Sequence, residues 1–260
     1  MYIEEGLKMM IFSPPGHGKT CLLGSIADDE RLSPAILLDF ESGMMSIKSK
    51  VRRIVSPKND NPNGLPVLGK CKPEKGKIDV ITIKSVKDFN YVYEYLSDTK
   101  DHPYKTVALD SLTEINYLIM NETIAEASKT DLKHDKDIAE QRDYLRVYNI
   151  MRKLIRSFRD LEMNVVLSCL SQHLDDPKTK LKMIAPQLTG KLALEMPGLI
   201  DILGYLAIVD EKDSSYRYLV TQPSEKIMAK DRTEGGKLGQ GIRNPTMQVL
   251  MNLIEGKVNK

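Results

Sequence analysis

The sequence predicts an α/β fold: a mostly parallel sheet with helices on both faces and a C-terminal antiparallel hairpin. Three observations carry this reading. Short apolar runs at Lys8–Phe12, Ala35–Phe40, Ile78–Ile83, Thr106–Asp110 and Val165–Leu170 have the length and composition of buried strands. Segments of helical periodicity lie between them. Two later runs, Tyr205–Val209 and Tyr216–Thr221, flank the polar stretch D-E-K-D-S-S, which reads as a hairpin turn. Strands that alternate with helices are joined by crossovers, and crossovers make parallel sheets.

Each element has its own signal. The first strand stops at Ser13-Pro14-Pro15, and a helix is expected from about Gly18 through Leu22, Leu23 and Ile26 to about Asp28. Residues 55–77, rich in Pro, Gly, Asn and Lys, read as a long basic loop insert. A helix through Tyr91 and Leu96 follows the third strand, and another runs from the fourth strand to about Ala127. The charged stretch 128–140 reads as mobile. Tyr144, Tyr148, Met151, Ile155 and Phe158 recur at helical spacing, so an amphipathic helix is expected to about Leu161. At 260 residues, with 41% hydrophobic and 28% charged side chains, residues 1–260 are expected to form one domain around a single core.

Composition also excludes function classes. There is no run of eighteen apolar residues, so no membrane partner is expected. Glu4 and Glu5 stand where a signal peptide would be basic. Cys21, Cys71 and Cys169 are widely spaced and make no zinc or disulfide framework, which fits a reducing cytoplasm. With 38 basic and 36 acidic residues the chain is no polycation, but local basic patches remain open to it.

The chemistry begins at the first strand-to-helix turn. Ser13-Pro14-Pro15-Gly16-His17-Gly18-Lys19-Thr20, with Cys21 next, matches the phosphate-binding loop pattern G-x-x-x-x-G-K-[ST], except that Ser13 replaces the first glycine. Its backbone N–H groups would wrap the β-phosphate of ATP. Lys19 would reach the β- and γ-phosphates, and the Thr20 hydroxyl would ligate Mg2+. The bland alternative is a glycine-rich helix start with a surface lysine; the flanking strand, amphipathic helix and paired prolines weigh against it. Asp110, at the tip of T-V-A-L-D, is the candidate second holder of the metal, through water; its competing role is a helix N-cap. Glu41, just past the second strand in L-L-D-F-E-S-G, could orient and deprotonate an attacking water. Asp39, two residues earlier on the same face, competes for that role, and a loop-capping acid is the alternative to both.

This ordered set resembles a RecA-type ATPase core: the loop, then D-F-E-S-G, then V-A-L-D-S, then a strand ending in Ser171-Gln172-His173. More narrowly it resembles the phage-encoded RecA-like ATPases of the Sak annealing type, through Pro186-Gln187-Leu188-Thr189-Gly190-Lys191 and Ala229-Lys230-Asp231-Arg232. The resemblance covers most of residues 8–250. It implies that Glu41 is the catalytic glutamate and that Gln172 or His173 senses the γ-phosphate. It implies that Lys230 and Arg232 reach a neighbouring subunit's nucleotide in a homo-oligomer. It also implies single-stranded DNA and a single-strand-binding protein as partners, in the cytoplasm of a bacterial host. In such cores, loops after the fourth and fifth strands face the DNA. Here the second, His173–Pro186, carries Lys178, Lys180 and Lys182, and the 55–77 insert is a further basic candidate with five lysines against two acids. Each could equally be a solvated surface loop.

Two other functions compete. One is a phosphotransferase on a small metabolite, for which Arg142, Arg146, Arg152, Arg156 and Arg159 would have to form a lid. Spread over about 25 Å of helix, they cannot converge on one phosphate. The other is a nucleotide-gated scaffold with negligible turnover.

Overall fold

The computed structural model describes residues 6–41, 43–54, 66–131, 133–135, 137–175 and 181–257. Its strands are β1 (Lys8–Ser13), β2 (Ala35–Asp39), β3 (Val51–Arg53), β4 (Ile78–Thr82), β5 (Thr106–Asp110), β6 (Asn164–Asp175), β7 (Lys182–Pro186), β8 (Ile202–Glu211), β9 (Ser214–Val220), β10 (Lys230–Asp231) and β11 (Gly241–Arg243). Its helices are α1 (Lys19–Gly24), α2 (Val86–Asp98), α3 (Leu112–Thr130), α4 (Gln141–Arg159), α5 (Leu192–Leu199) and α6 (Met247–Ile254). Among these residues no helix is long and apolar enough to cross a membrane.

The strands form one sheet in the order β11-β9-β8-β1-β6-β5-β2-β4-β3, with β10 pairing β8 and β7 pairing β6. From β8 to β3 every neighbour along that path is parallel. The β8–β9 hairpin adds an antiparallel edge, as the two C-terminal runs predicted, and β11 extends it. The predicted α/β architecture therefore holds. The hairpin turn is tighter than the polar stretch suggests, since the strands consume four of its six residues and leave Lys212-Asp213.

Strand residues alternate between two cores. Met10, Phe12, Ile36, Leu38, Val107, Leu109, Val165 and Leu167 pack on one face against α2, α3, α4 and α5. Met9, Ile11, Leu37, Val80, Ala108 and Val166 pack on the other against α1 and α6. Burying each large side chain is worth about 1.5–3 kcal/mol, so the central strands read as unbroken apolar runs because both faces are covered.

The helix α4 shows how pattern becomes packing. Glu140 and Asp143 form a capping box at its start, with the Glu140 N–H donating to Asp143 Oδ2 at 2.8 Å. Val147, Met151, Leu154, Ile155 and Phe158 form its buried stripe. Tyr144, expected on that stripe, is instead 51% exposed, because the stripe begins a turn later at Val147. Arg142, Arg146, Arg152 and Arg159 pair with acids at its surface, in the manner of a solvated face.

Three further expectations change. The strand predicted to end at Leu170 continues to Asp175 and turns back as β7, so most of the predicted loop His173–Pro186 is a hairpin arm. The short strand β3 lies just before the insert, of which residues 55–65 fall outside the described region. The helices α5 and α6 were hidden: α5 by Pro197 and the adjacent Gly198, α6 because apolar residues cover most of its circumference.

Candidate functional site

The first strand ends at Ser13, fully buried between β8 and β6. The chain then turns through Gly16 (φ 77°) and Gly18 (φ 98°), conformations that favour glycine. No side chain caps α1, so the N–H groups at its start remain available to an anion. Lys19 is buried, and its Nζ donates to the Ser13 carbonyl at 3.3 Å, the Pro14 carbonyl at 3.2 Å and Ser13 Oγ at 3.4 Å. The ammonium thus folds back across the loop's own backbone. Burial pushes its pKa below the usual lysine value, against the opposing pull of Asp110 and Glu41.

Two strand tips supply the acids. Asp39 and Asp110 stand in register on β2 and β5. The strand β6 lies between β5 and the loop strand, and α1 brings Thr20 across its end, so that Thr20 Oγ1 donates to Asp110 Oδ2 at 2.8 Å. The Ser168 hydroxyl on β6 donates to Asp110 Oδ1. Asp110 is 1% exposed, and its pKa is raised by that burial and by Glu41, while Ser168 and Thr20 pull the other way.

Glu41 is exposed and accepts a 2.5 Å hydrogen bond from Ser111 Oγ. Asp39 is fully buried; one oxygen accepts from the Glu41 N–H at 3.2 Å and the other lies 3.4 Å from Arg53. A cavity of about 630 Å³ opens over the loop, lined by Gly16, Gly18, Lys19, Thr20, Glu41 and Glu114 among others. Glu41 faces it and Asp39 does not.

The other predicted residues are placed apart from this cavity. Its lining includes Leu170 but neither Gln172 nor His173. The Gln172 amide donates to the Pro186 carbonyl at 2.8 Å, stitching β6 to β7, and His173 is exposed. Lys182 is exposed on β7, whereas Lys178 and Lys180 lie outside the described residues. Lys230 and Arg232 sit beside the start of β8. The Lys230 ammonium donates to the carbonyls of Pro197 and Ile200, the latter at 2.8 Å. Arg232 pairs with Asp201 at 3.0 Å. Within the chain, therefore, Asp201 is the anion beside Arg232, and backbone carbonyls hold Lys230. Asp231 is occupied in accepting from the N–H groups of Thr233 and Leu238.

Four residues escaped sequence reasoning. Ser111 and Ser168 orient the two acids, but lone serines carry no pattern. Glu114, in the first turn of α3, lines the cavity, and burial together with Glu41 raises its pKa. Arg217 on β9 donates from Nε to the His17 carbonyl at 2.9 Å. A single arginine in a predicted strand carries no pattern that marks it for a site.

Comparison with known proteins gives three findings. No curated protein matches the chain. Among solved structures it is similar to a KaiC-like protein from the hyperthermophilic archaeon Pyrococcus horikoshii OT3, at 13% identity and a TM-score of 0.43, over 93% of this chain and 90% of that one. The family described as AAA domain matches residues 5–233. That span takes in the loop at Ser13–Thr20 and the strand tips bearing Glu41 and Asp110, and the chain belongs to this AAA-domain family of P-loop ATPases.

Proposed function

We propose that this chain is a magnesium-dependent ATPase that acts on single-stranded DNA in phage recombination or annealing, as one RecA-like domain in a homo-oligomer. The observation that carries the ATPase reading is the convergence of Lys19, Thr20 and Glu41 on one cavity, with Asp110 buried just behind Thr20 and hydrogen-bonded to it. When ATP enters, Lys19 exchanges three neutral acceptors on its own loop for phosphate oxygens, a stronger charge-assisted bond. Thr20 Oγ1 and Asp110, both hard oxygen donors already 2.8 Å apart, suit Mg2+. Among the described residues no cluster of His, Cys, Asp and Glu would hold a metal by itself, which fits an ion held largely by phosphate and water. Bound there, the ion would neutralise charge that develops on the phosphates. Glu41, with one oxygen held by Ser111, has the other to orient water and take its proton.

The DNA role rests on the resemblance to Sak-type proteins and on the basic β6–β7 hairpin. The shared-site role is supported by position. Arg232 lies level with Lys8, five residues along β1 from Ser13, or about 16 Å at strand spacing. At that distance neither cation can reach this chain's own γ-phosphate, which leaves a neighbour's nucleotide, the target that the resemblance implies.

Phosphate release measured with and without single-stranded DNA tests the proposal, with Lys19→Ala as the empty-site control. Hydrolysis that DNA stimulates and Lys19→Ala abolishes is the expected result. Turnover that requires a small-molecule acceptor would mean a phosphotransferase, and binding without turnover a scaffold. ATP affinity unchanged in Lys19→Ala would end the loop assignment itself.

A further inference from the structure

We propose that Arg217 is a second phosphate-binding cation, supplied by the chain to its own nucleotide. The inference rests on the P-loop reading above and adds a residue that the loop pattern does not contain.

The placement is built from the C-terminal edge of the sheet. The strand β8 pairs β1 through Tyr205, then turns into β9, which brings Arg217 back beside the loop. Asn244, just past β11, fixes the arginine's backbone from both sides. Its N–H donates to the Arg217 carbonyl at 2.7 Å, and its Oδ1 accepts from the Arg217 N–H at 3.2 Å. Asn244 holds φ 46° to do so, a conformation asparagine tolerates better than most residues. The loop is tied to the same edge through His17 Nδ1, 3.2 Å from the Leu206 carbonyl.

The side chain then lies over the loop. Arg217 Nε donates to the His17 carbonyl, and a Cβ added to Gly18 would stand 2.3 Å from Nε and 3.0 Å from Cζ. The guanidinium occupies space that only glycine leaves open, on the wall of the cavity that Lys19 and Thr20 line. Among the described residues its two terminal nitrogens carry no hydrogen bond to the protein. The neighbouring Arg243 contrasts with it: that guanidinium stacks 3.9 Å over Tyr216 and pairs with Glu211 at 3.1 Å. An arginine anchored by Nε presents the rest of its planar fork in fixed geometry, which is the arrangement that suits phosphate oxygens. A bound triphosphate is the anion that cavity would hold.

The test uses a fluorescent ATP analogue and inorganic tripolyphosphate as competitor, on the full chain. Arg217→Ala is expected to weaken both by the same factor, about ten- to a hundredfold, the range for a charge-assisted hydrogen bond. Arg217→Lys should recover part of the loss, and Arg217→Gln, which keeps a donor for the His17 carbonyl but no charge, should not. The side chain is exposed, so all three should melt within a few degrees of the parent, and the Lys and Gln pair decides the matter should the Ala variant misfold. Full affinity in Arg217→Gln would overturn the proposal in favour of a purely structural bond to His17. Weakened ATP with unchanged tripolyphosphate would also overturn it, by moving the contact to base or sugar. Unaltered binding in Arg217→Ala beside lost binding in Lys19→Ala would sink this inference alone; failure of the parent to bind either probe would sink it together with the P-loop reading.

Discussion

Glu41→Gln separates nucleotide binding from chemistry more sharply than any other single change. Glutamine keeps a carbonyl oxygen to accept from Ser111 Oγ, so the 2.5 Å contact and the loop after β2 persist. What is lost is the ability to take a proton. Loss of a positioned general base costs about 10²–10⁴ in rate, or about 3–5 kcal/mol in the barrier. Binding should not suffer, because the change removes a negative charge from a cavity that must accept a polyanion. It also relieves Asp110 and Glu114, whose raised pKa values owe part of their shift to Glu41. Single-turnover phosphate release measures the chemistry, and titration with a fluorescent ATP analogue measures binding. The companion variant is Asp39→Asn. Asp39 is fully buried and bonded to the Glu41 N–H and Arg53, so its replacement should show as lost stability. About 1–3 kcal/mol is the usual cost of such a change, at about 2–4 °C per kcal/mol in melting temperature. If Asp39→Asn loses hydrolysis selectively while Glu41→Gln keeps within a few fold of the parent rate, the wrong carboxylate has been assigned.

Three further outcomes are expected. Asp110→Asn should abolish metal-dependent hydrolysis yet raise the melting temperature of the nucleotide-free protein at pH 7. Its carboxyl pKa is raised above the 3.8 of an unperturbed aspartate, so the proton it holds stabilises the fold fully below pH 3.8, and that stability is lost as pH rises through the native value. The ionised form is therefore the costly one, and a melting temperature unchanged or lowered at pH 7 would contradict this account. Replacing Lys178, Lys180 and Lys182 together should leave ATP binding intact and reduce the slope of log affinity for single-stranded DNA against log salt by about 0.7 per lost contact; an unaltered slope would point to the 55–77 insert instead. Lys230→Ala/Arg232→Ala should bind ATP and hydrolyse it poorly, and mixing it with Lys19→Ala should restore part of the activity; co-assembled mixtures that stay inactive would exclude a finger acting across an interface.

What was legible in the sequence is what neighbouring residues decide together. The strands β1, β2, β4 and β5 could be read because burial on both faces demands continuous apolar runs, and the nucleotide loop because phosphate binding needs contiguous backbone N–H groups between a strand and a helix. Glu41 and Asp110 could be read for a related reason: in a parallel sheet, strand tips share one edge. Where a strand leaves the core, that logic ends. The arm of β6 beyond Leu170 is held by pairing with β7 instead of by apolar burial, so its composition resembled a loop. Residues whose role is a contact across the fold left no local trace. Asp201 as the partner of Arg232, Ser168 as the donor to Asp110 and Arg217 over Gly18 are separated from their partners by 31, 58 and 199 positions respectively. Only the order of strands in the sheet brings them together. The sequence by itself determined that an ATP-binding loop and two acids would meet at one sheet edge. The tertiary structure decided which acid faces the cavity, what holds the distal cations, and that an arginine from the far edge completes the wall.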